Sequence, residues 1–211
     1  MPPILDSRKP LRGNIADYVT EQLPYVPSLI IACVKEIESR SRERMTLYRH
    51  HGDLTIARGF LKNYLHSKKV PNLRSVDVQT IGSILKLFLA SLSEPLITDK
   101  LRDKFVDAAL IANETERDAA LSKALIFLPY PNLHTLSYLI HHLRFISKLS
   151  RTNNYARLAV VFGPIVVGGS SRYLTPHLFI IEREDQDQVI ESLLEIDDYY
   201  NDFLPYSSQN S

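Results

Sequence analysis

Asp77-Val78-Gln79-Thr80-Ile81-Gly82-Ser83-Ile84-Leu85-Lys86-Leu87-Phe88-Leu89-Ala90-Ser91-Leu92 carries large apolar residues at 81, 84, 85, 88, 89 and 92. Intervals of three and four residues place these on one stripe of a helix with 3.6 residues per turn, so the stretch predicts a helix with a buried face. The same period extends in both directions. Upstream, Pro27 and Ser28 open an apolar-faced helix to about Arg40, with Ser28 placed to accept a backbone hydrogen bond. Asp53 is placed to cap a helix to about His66 with Leu54, Ala57, Leu61 and Leu65 inward, and Lys68-Lys69-Val70-Pro71-Asn72 ends it.

Downstream, Thr98 is placed to cap a helix carrying Leu101, Phe105, Ala108 and Ala109, and Glu114 to Leu128 forms another before Pro129. Asn132 is read as the cap of a long segment in which Leu133, Leu136, Leu139, Ile140, Leu143 and Ile146 recur at helical spacing. Asn153 or Asn154 starts a shorter apolar helix ending at Gly163-Pro164. A last pair runs from about Glu184 to Ile196 and through Tyr199 to Phe203. No stretch alternates as a strand does. The expectation is an all-α chain: a single helical bundle domain over 14–205, between a Pro- and Gly-bearing tail at 1–13 and a polar tail at 206–211.

Bulk properties narrow the function classes. A chain of 211 residues with 45% hydrophobic and 23% charged residues is ordinary for one globular core. The 25 Lys+Arg and 24 Asp+Glu leave a formal charge of +1, which does not indicate nucleic acid or an acidic membrane as partner. The apolar run from Leu158 to Val167 is too short to span a bilayer and is interrupted by Gly163-Pro164. The single cysteine, Cys33, and an N-terminus without a signal-peptide pattern fit a cytoplasmic setting.

Arg49 lies in Leu47-Tyr48-Arg49-His50-His51-Gly52, a loop-like break between two amphipathic segments where an exposed guanidinium can enter another protein's active site. The surroundings resemble the Rho-family GTPase-activating (RhoGAP) domain, whose finger motif runs glycine, apolar, aromatic, arginine, any residue, serine, glycine. Further blocks carry the resemblance. Pro27 through Glu38 resembles the family's opening helix. Asp77-Val78-Gln79-Thr80, Leu85-Lys86-Leu87-Phe88-Leu89 and Leu92-Ser93-Glu94-Pro95-Leu96 resemble its central string. Leu128-Pro129, Asn132, Thr135-Leu136 and His142-Leu143 are similar to the next block, and Leu158 to Pro164 to the closing one.

The resemblance implies a RhoGAP-like bundle that supplies Arg49 in trans to a GTP-loaded RhoA, Rac or Cdc42-type GTPase. The chain would then be an activator rather than an enzyme. Negative charge spreads over the transferring phosphoryl group, and a planar, permanently ionised fork answers it with several hydrogen bonds. An arginine supplied this way raises hydrolysis about 10³- to 10⁵-fold, roughly 4 to 7 kcal/mol. Lys86 is implied to support the finger loop and touch the GTPase, with Arg157, His50 and His51 in the same contact set. No cofactor or metal is expected on this chain; GTP and Mg²⁺ belong to the partner. Within the family, Leu11-Arg12-Gly13 and Ile15-Ala16-Asp17-Tyr18-Val19 resemble the lead-in of the centralspindlin branch. That narrower likeness implies cytokinesis, a place at the cytoskeleton of the spindle midzone and cleavage furrow, and a kinesin and a Rho exchange factor as further partners of the full-length protein.

The sequence also departs from the family pattern. Thr46 stands where glycine precedes the finger, and if that site needs positive φ a β-branched residue suits it poorly. His51 replaces a serine, Ala90 a second arginine, Ser93 a proline, and Arg157 an asparagine that contacts the GTPase. These leave a second reading open, a catalytically weakened GTPase- or exchange-factor-binding module that promotes Rho signalling. His134, His141 and His142 have no carboxylate or cysteine at ligand spacing and read as structural or solvated. Gly168-Gly169-Ser170-Ser171 lacks the lysine and the strand-to-helix setting of a phosphate loop and reads as a flexible connector.

Overall fold

A computed structural model describes residues 13–40, 47, 48, 50–149, 154–170 and 175–196. Among the described residues there is no strand. A 3-10 turn at Ile15–Tyr18 precedes eight helices: α1 Ser28–Ser39, α2 Leu54–Ser67, α3 Val78–Ser91, α4 Arg102–Ala109, α5 Glu114–Leu125, α6 Tyr130–Leu149, α7 Tyr155–Val166 and α8 Pro176–Glu195.

Helix α3 is central and packs on α1, α2 and α7. Its stripe of Ile81, Ile84, Leu85 and Phe88 is fully buried, and so are Thr80, Gly82 and Ser83 on other faces. The helix therefore buries more of its surface than one stripe. Asp77 caps its start by accepting from the Thr80 N–H at 2.9 Å. Arg40 fixes the approach, donating to the carbonyls of Leu73, Arg74 and Val76 and so tying the end of α1 to the turn before α3. The segment before α1 also belongs to the bundle. Tyr18 stacks on Tyr64 and meets Phe88 edge-on at 5.3 Å, while the Ser93 N–H donates to the Gly13 carbonyl.

Helices α7 and α8 form the most extensive pair. Gly163 permits the approach, since a Cβ there would lie 3.0 to 3.1 Å from Asp187 and Gln186. One residue on, Pro164 has no N–H to give the Val160 carbonyl four residues back. Arg183 of α8 supplies that donor, Nη2 to oxygen at 3.1 Å.

Several boundaries differ from the sequence reading, each for a local reason. Thr98 is not the side-chain cap of α4: its carbonyl accepts from Leu101 and Arg102, and Leu101 stands at the cap. Helix α5 stops at Leu125, where the N–H groups of Phe127 and Leu128 turn back to Ala124 and Leu125. Asn132 lies inside α6, its side chain donating to the Leu96 carbonyl at 3.0 Å instead of capping. Helix α7 passes through Gly163-Pro164 to Val166 because Arg183 relieves the proline defect. The final helix begins at Pro176 rather than near Glu184, with Thr175 accepting from the Leu178 N–H. Tyr199 to Phe203 lies outside the described residues.

The glycine-rich connector is held, not loose, over its described part. The Gly168 carbonyl accepts from Arg102 and from Gln186, and the Ser170 N–H donates to Glu182. Gly168 has φ +72°, and a side chain there would strike Pro95.

Candidate functional site

The loop that carries Arg49 is fastened on both sides. Upstream, Leu47 is 0% and Tyr48 is 4% exposed. The Tyr48 ring meets Phe162 edge-on at 4.9 Å and lies against Gly82, where an added Cβ would be 3.1 Å from both Leu47 and Tyr48. Its hydroxyl lies 2.9 Å from His142 Nε2, and His142 Nδ1 lies 2.8 Å from Glu38 Oε1. Burial pushes the phenol's pKa well up, so Tyr48 remains a neutral hydroxyl. Downstream, the Gly52 N–H donates to Ser83 Oγ at 3.1 Å and the Asp53 N–H to Thr80 Oγ1 at 2.7 Å. A side chain on Gly52 would fall 2.1 Å from the Thr80 nitrogen, so only glycine fits there. Asp53 then caps α2 by accepting from Thr55 and Ile56.

Arg49 and Thr46 themselves lie outside the described residues. The left-handed backbone position in the described part of the loop is Tyr48, at φ +64°. An aromatic residue held there costs about 1 to 3 kcal/mol, tolerated only where surrounding packing over-determines it. The buried ring and its hydroxyl partner provide that packing.

A groove of about 490 Å³ opens beside this loop, walled by α2, α3, α7 and α8. Its floor is apolar, from Leu54, Leu87, Val161 and Ile165, and its charged lining is entirely basic: Lys86, Arg58 and Arg183, with no carboxylate. Lys86 is only 8% exposed, so it does not stand out at a solvated rim. Its ammonium lies 5.8 Å from the centre of the Tyr48 ring, and burial lowers its pKa. The Tyr48 face offsets part of that desolvation. Among the described residues no carboxylate pairs with Lys86, which leaves a partly dehydrated cation directed at a groove. An incoming anion is what such a cation lacks. Ala90, one turn on and exposed, adds space rather than charge.

His51 lines the same groove as Lys86, and His50 is exposed beside it. Arg157 is exposed on α7, three and four residues before the groove-lining Val160 and Val161 and thus on their face. The structure so gathers Lys86, His51 and the Arg157 face around one depression. Sequence reading missed Arg58 and Arg183, which no motif distinguishes from ordinary surface arginines. It also missed the anchoring role of Gly52 and Gly82, although glycine inside an otherwise regular pattern is a signal of close approach. The histidines behave as structural groups: His142 is buried in the Tyr48 network, and His134 Nδ1 accepts from the Tyr25 N–H at 3.2 Å beneath the Tyr25 ring. Among the described residues no cluster of metal-ligating side chains occurs, and no helix is long and apolar enough to cross a membrane.

Comparison with known proteins places this architecture. The RhoGAP domain profile matches residues 27–171. The chain is 35% identical over 201 residues to Rac GTPase-activating protein 1 of Mus musculus, covering 94% of this chain and 32% of that protein. It is 36% identical over 200 residues to the GTPase-activating protein pac-1 of Caenorhabditis elegans, covering 88% of this chain and 12% of the relative. The chain thus spans a third or less of these relatives. Among solved structures, human Rho GTPase-activating protein 15 superposes with a TM-score of 0.79 at 23% identity over 90% of each chain. The BH domain of Graf, the GTPase regulator associated with focal adhesion kinase, gives 0.71 at 26% identity, over 82% of this chain and 93% of that one. The profile match over most of the chain and the relatives at 35% and 36% identity agree, and this chain belongs to the RhoGAP domain family.

Proposed function

We propose that this domain docks on a GTP-loaded Rho-family GTPase of the RhoA, Rac or Cdc42 type and accelerates hydrolysis by supplying Arg49 in trans. The observation that carries the reading is the double anchorage of the Arg49 loop. Leu47 and Tyr48 are sunk in the core on one side, and Gly52 and Asp53 are bonded to α3 on the other. Fixed residues on either side lower the cost of ordering whatever lies between them on docking, which favours transition-state stabilisation by a group supplied from that segment. Lys86, the Arg157 face of α7, His50 and His51 form the GTPase contact around the basic groove. GTP and Mg²⁺ come with the partner. Single-turnover GTP hydrolysis across the three GTPase types tests the proposal. Arg49→Ala is expected to abolish stimulation while leaving the melting temperature nearly unchanged; full stimulation by that variant rejects the role.

Ala90 favours a second reading. It leaves the groove wall without a cation one turn from Lys86, which suits a domain that binds a GTPase or an exchange factor with weakened catalysis. Tight binding of a transition-state mimic with no rate change would select it. The finer part of the proposal places the full-length protein in cytokinesis, at the spindle midzone and cleavage furrow with a kinesin and a Rho exchange factor. It rests on the lead-in at Leu11 to Val19 and on the similarity to Rac GTPase-activating protein 1. Its test is the position of the tagged full-length protein in dividing cells.

A further inference from the structure

Glu38, His142 and Tyr48 form a chain of hydrogen bonds that ends one residue before Arg49. His142 is fully buried, Glu38 on α1 is partly exposed, and the three residues come from α1, the loop and α6. Protonation states follow from the donors available. The Glu38 carboxylate accepts only, so His142 Nδ1 carries the proton and donates to it at 2.8 Å. With the ring's proton on Nδ1, Nε2 is the acceptor, and the Tyr48 hydroxyl donates to it at 2.9 Å. Every polar atom on this path is satisfied by one proton arrangement.

Packing of the Tyr48 ring against Phe162 and Gly82 sets its depth, yet a ring held only by apolar contact can rotate or slide. The hydroxyl fixes both. Its backbone sits at φ +64°, a conformation an aromatic residue holds only under constraint. The next residue along the chain is Arg49.

We propose that Glu38 and His142 are positioning residues for stimulated GTP hydrolysis, acting through the Tyr48 hydroxyl to hold the backbone that presents Arg49. This rests on the Arg49 reading above. A GTPase docks over the groove and the α7 face; Glu38 and His142 do not line that groove, and Tyr48 borders it with a ring that Tyr48→Phe keeps, so loss of the relay changes the rate within the complex and not the affinity for the GTPase.

The experiment is single-turnover GTP hydrolysis by the Rho-family GTPase that the wild-type protein stimulates most, titrated with each variant to separate the plateau rate from the half-saturating concentration. Tyr48→Phe deletes one oxygen and keeps the ring. It is expected to lower the plateau about tenfold, the worth of one ordinary hydrogen bond, with half-saturation unchanged. Glu38→Ala is expected to do the same, and Glu38→Gln, whose amide oxygen still accepts from Nδ1–H, to restore the plateau. Imidazole ¹⁵N shifts of His142 in the free protein should report the Nδ1–H tautomer. An unchanged plateau in Tyr48→Phe, a loss confined to half-saturation, or an Nε2–H tautomer overturns the relay. Arg49→Ala in the same titration separates the two ideas. If it abolishes stimulation while the relay variants keep the wild-type plateau, only the relay fails; if it leaves stimulation intact, or the wild-type protein stimulates nothing, the finger reading fails and the relay with it.

Discussion

Arg102 of α4 and Glu182 of α8 meet at 3.2 Å between Nη2 and Oε1, both residues less than a tenth exposed. Around the pair, Arg102 Nε and Gln186 converge on the Gly168 carbonyl, and Glu182 accepts from the Ser170 N–H. Glu182→Leu strands the guanidinium with a long contact to Gly168 and the exposed Asp103. Breaking a buried pair from one side costs about 3 to 5 kcal/mol. The expected result is a lower denaturant midpoint with an unchanged m-value.

Lys86 sets stability against function. Its lowered pKa comes from burial, so the charged form is disfavoured in the folded state. Lys86→Met should raise the melting temperature at neutral pH and reduce both GTPase binding and stimulated hydrolysis. The pH sign follows from linkage. Below the folded pKa the lysine is charged in both states and its penalty is full; the penalty fades as pH rises from the folded pKa toward the unfolded one. The advantage of the Met variant should therefore shrink on the alkaline side, read as the difference between the two melting curves.

Two glycine-to-alanine changes should behave in opposite ways. At Gly59, on exposed α2 surface, a Cβ meets nothing within 4 Å. Gly59→Ala should stabilise by about 0.8 to 1 kcal/mol through helix propensity alone. At Gly82 the methyl presses Leu47 and Tyr48 at 3.1 Å, and overpacking of about 1 to 3 kcal/mol offsets the propensity gain. Gly82→Ala should lose stimulated hydrolysis out of proportion to its small change in melting temperature.

Asp77 makes acid stability of α3 measurable. Burial acts to raise its pKa, but hydrogen bonds from the Thr80 side chain and from backbone N–H groups outweigh it and the net shift is downward. A depressed carboxylate contributes fully above its unfolded pKa and loses that contribution as pH falls through the folded value. Asp77→Ala should cost about 1 kcal/mol at neutral pH. The gap between variant and wild type should close in acid.

Helix existence was legible wherever an apolar stripe ran three turns or more, as from Ile81 to Leu92 and from Leu133 to Ile146. Ends were legible where a capping side chain had no rival partner: Asp53 caps as read, and Asn154, one of the two starts read for α7, caps that helix. Asn132 and Pro164 misled because tertiary contacts claim them, the Leu96 carbonyl in one case and Arg183 in the other. The first half of α8 leaves its apolar run Leu178, Phe179 and Ile180 exposed and has no inward stripe to betray it. At the candidate site, motif spacing drew attention to Lys86, but its burial and the cations Arg58 and Arg183 depend on neighbours distant in sequence.

Pro164 makes α7 incomplete by itself, and the missing donor arrives from α8, beyond residue 171 where the RhoGAP profile match ends. Glu182, Val189, Ile190 and Leu193 of α8 are buried as well. A fragment trimmed at residue 171 would expose the α7 seam to water, leave Arg102 without its buried partner Glu182 and fail to hold a native shape. The folding unit is longer than the profile-matched stretch, and any excision aimed at a minimal working piece has to retain α8.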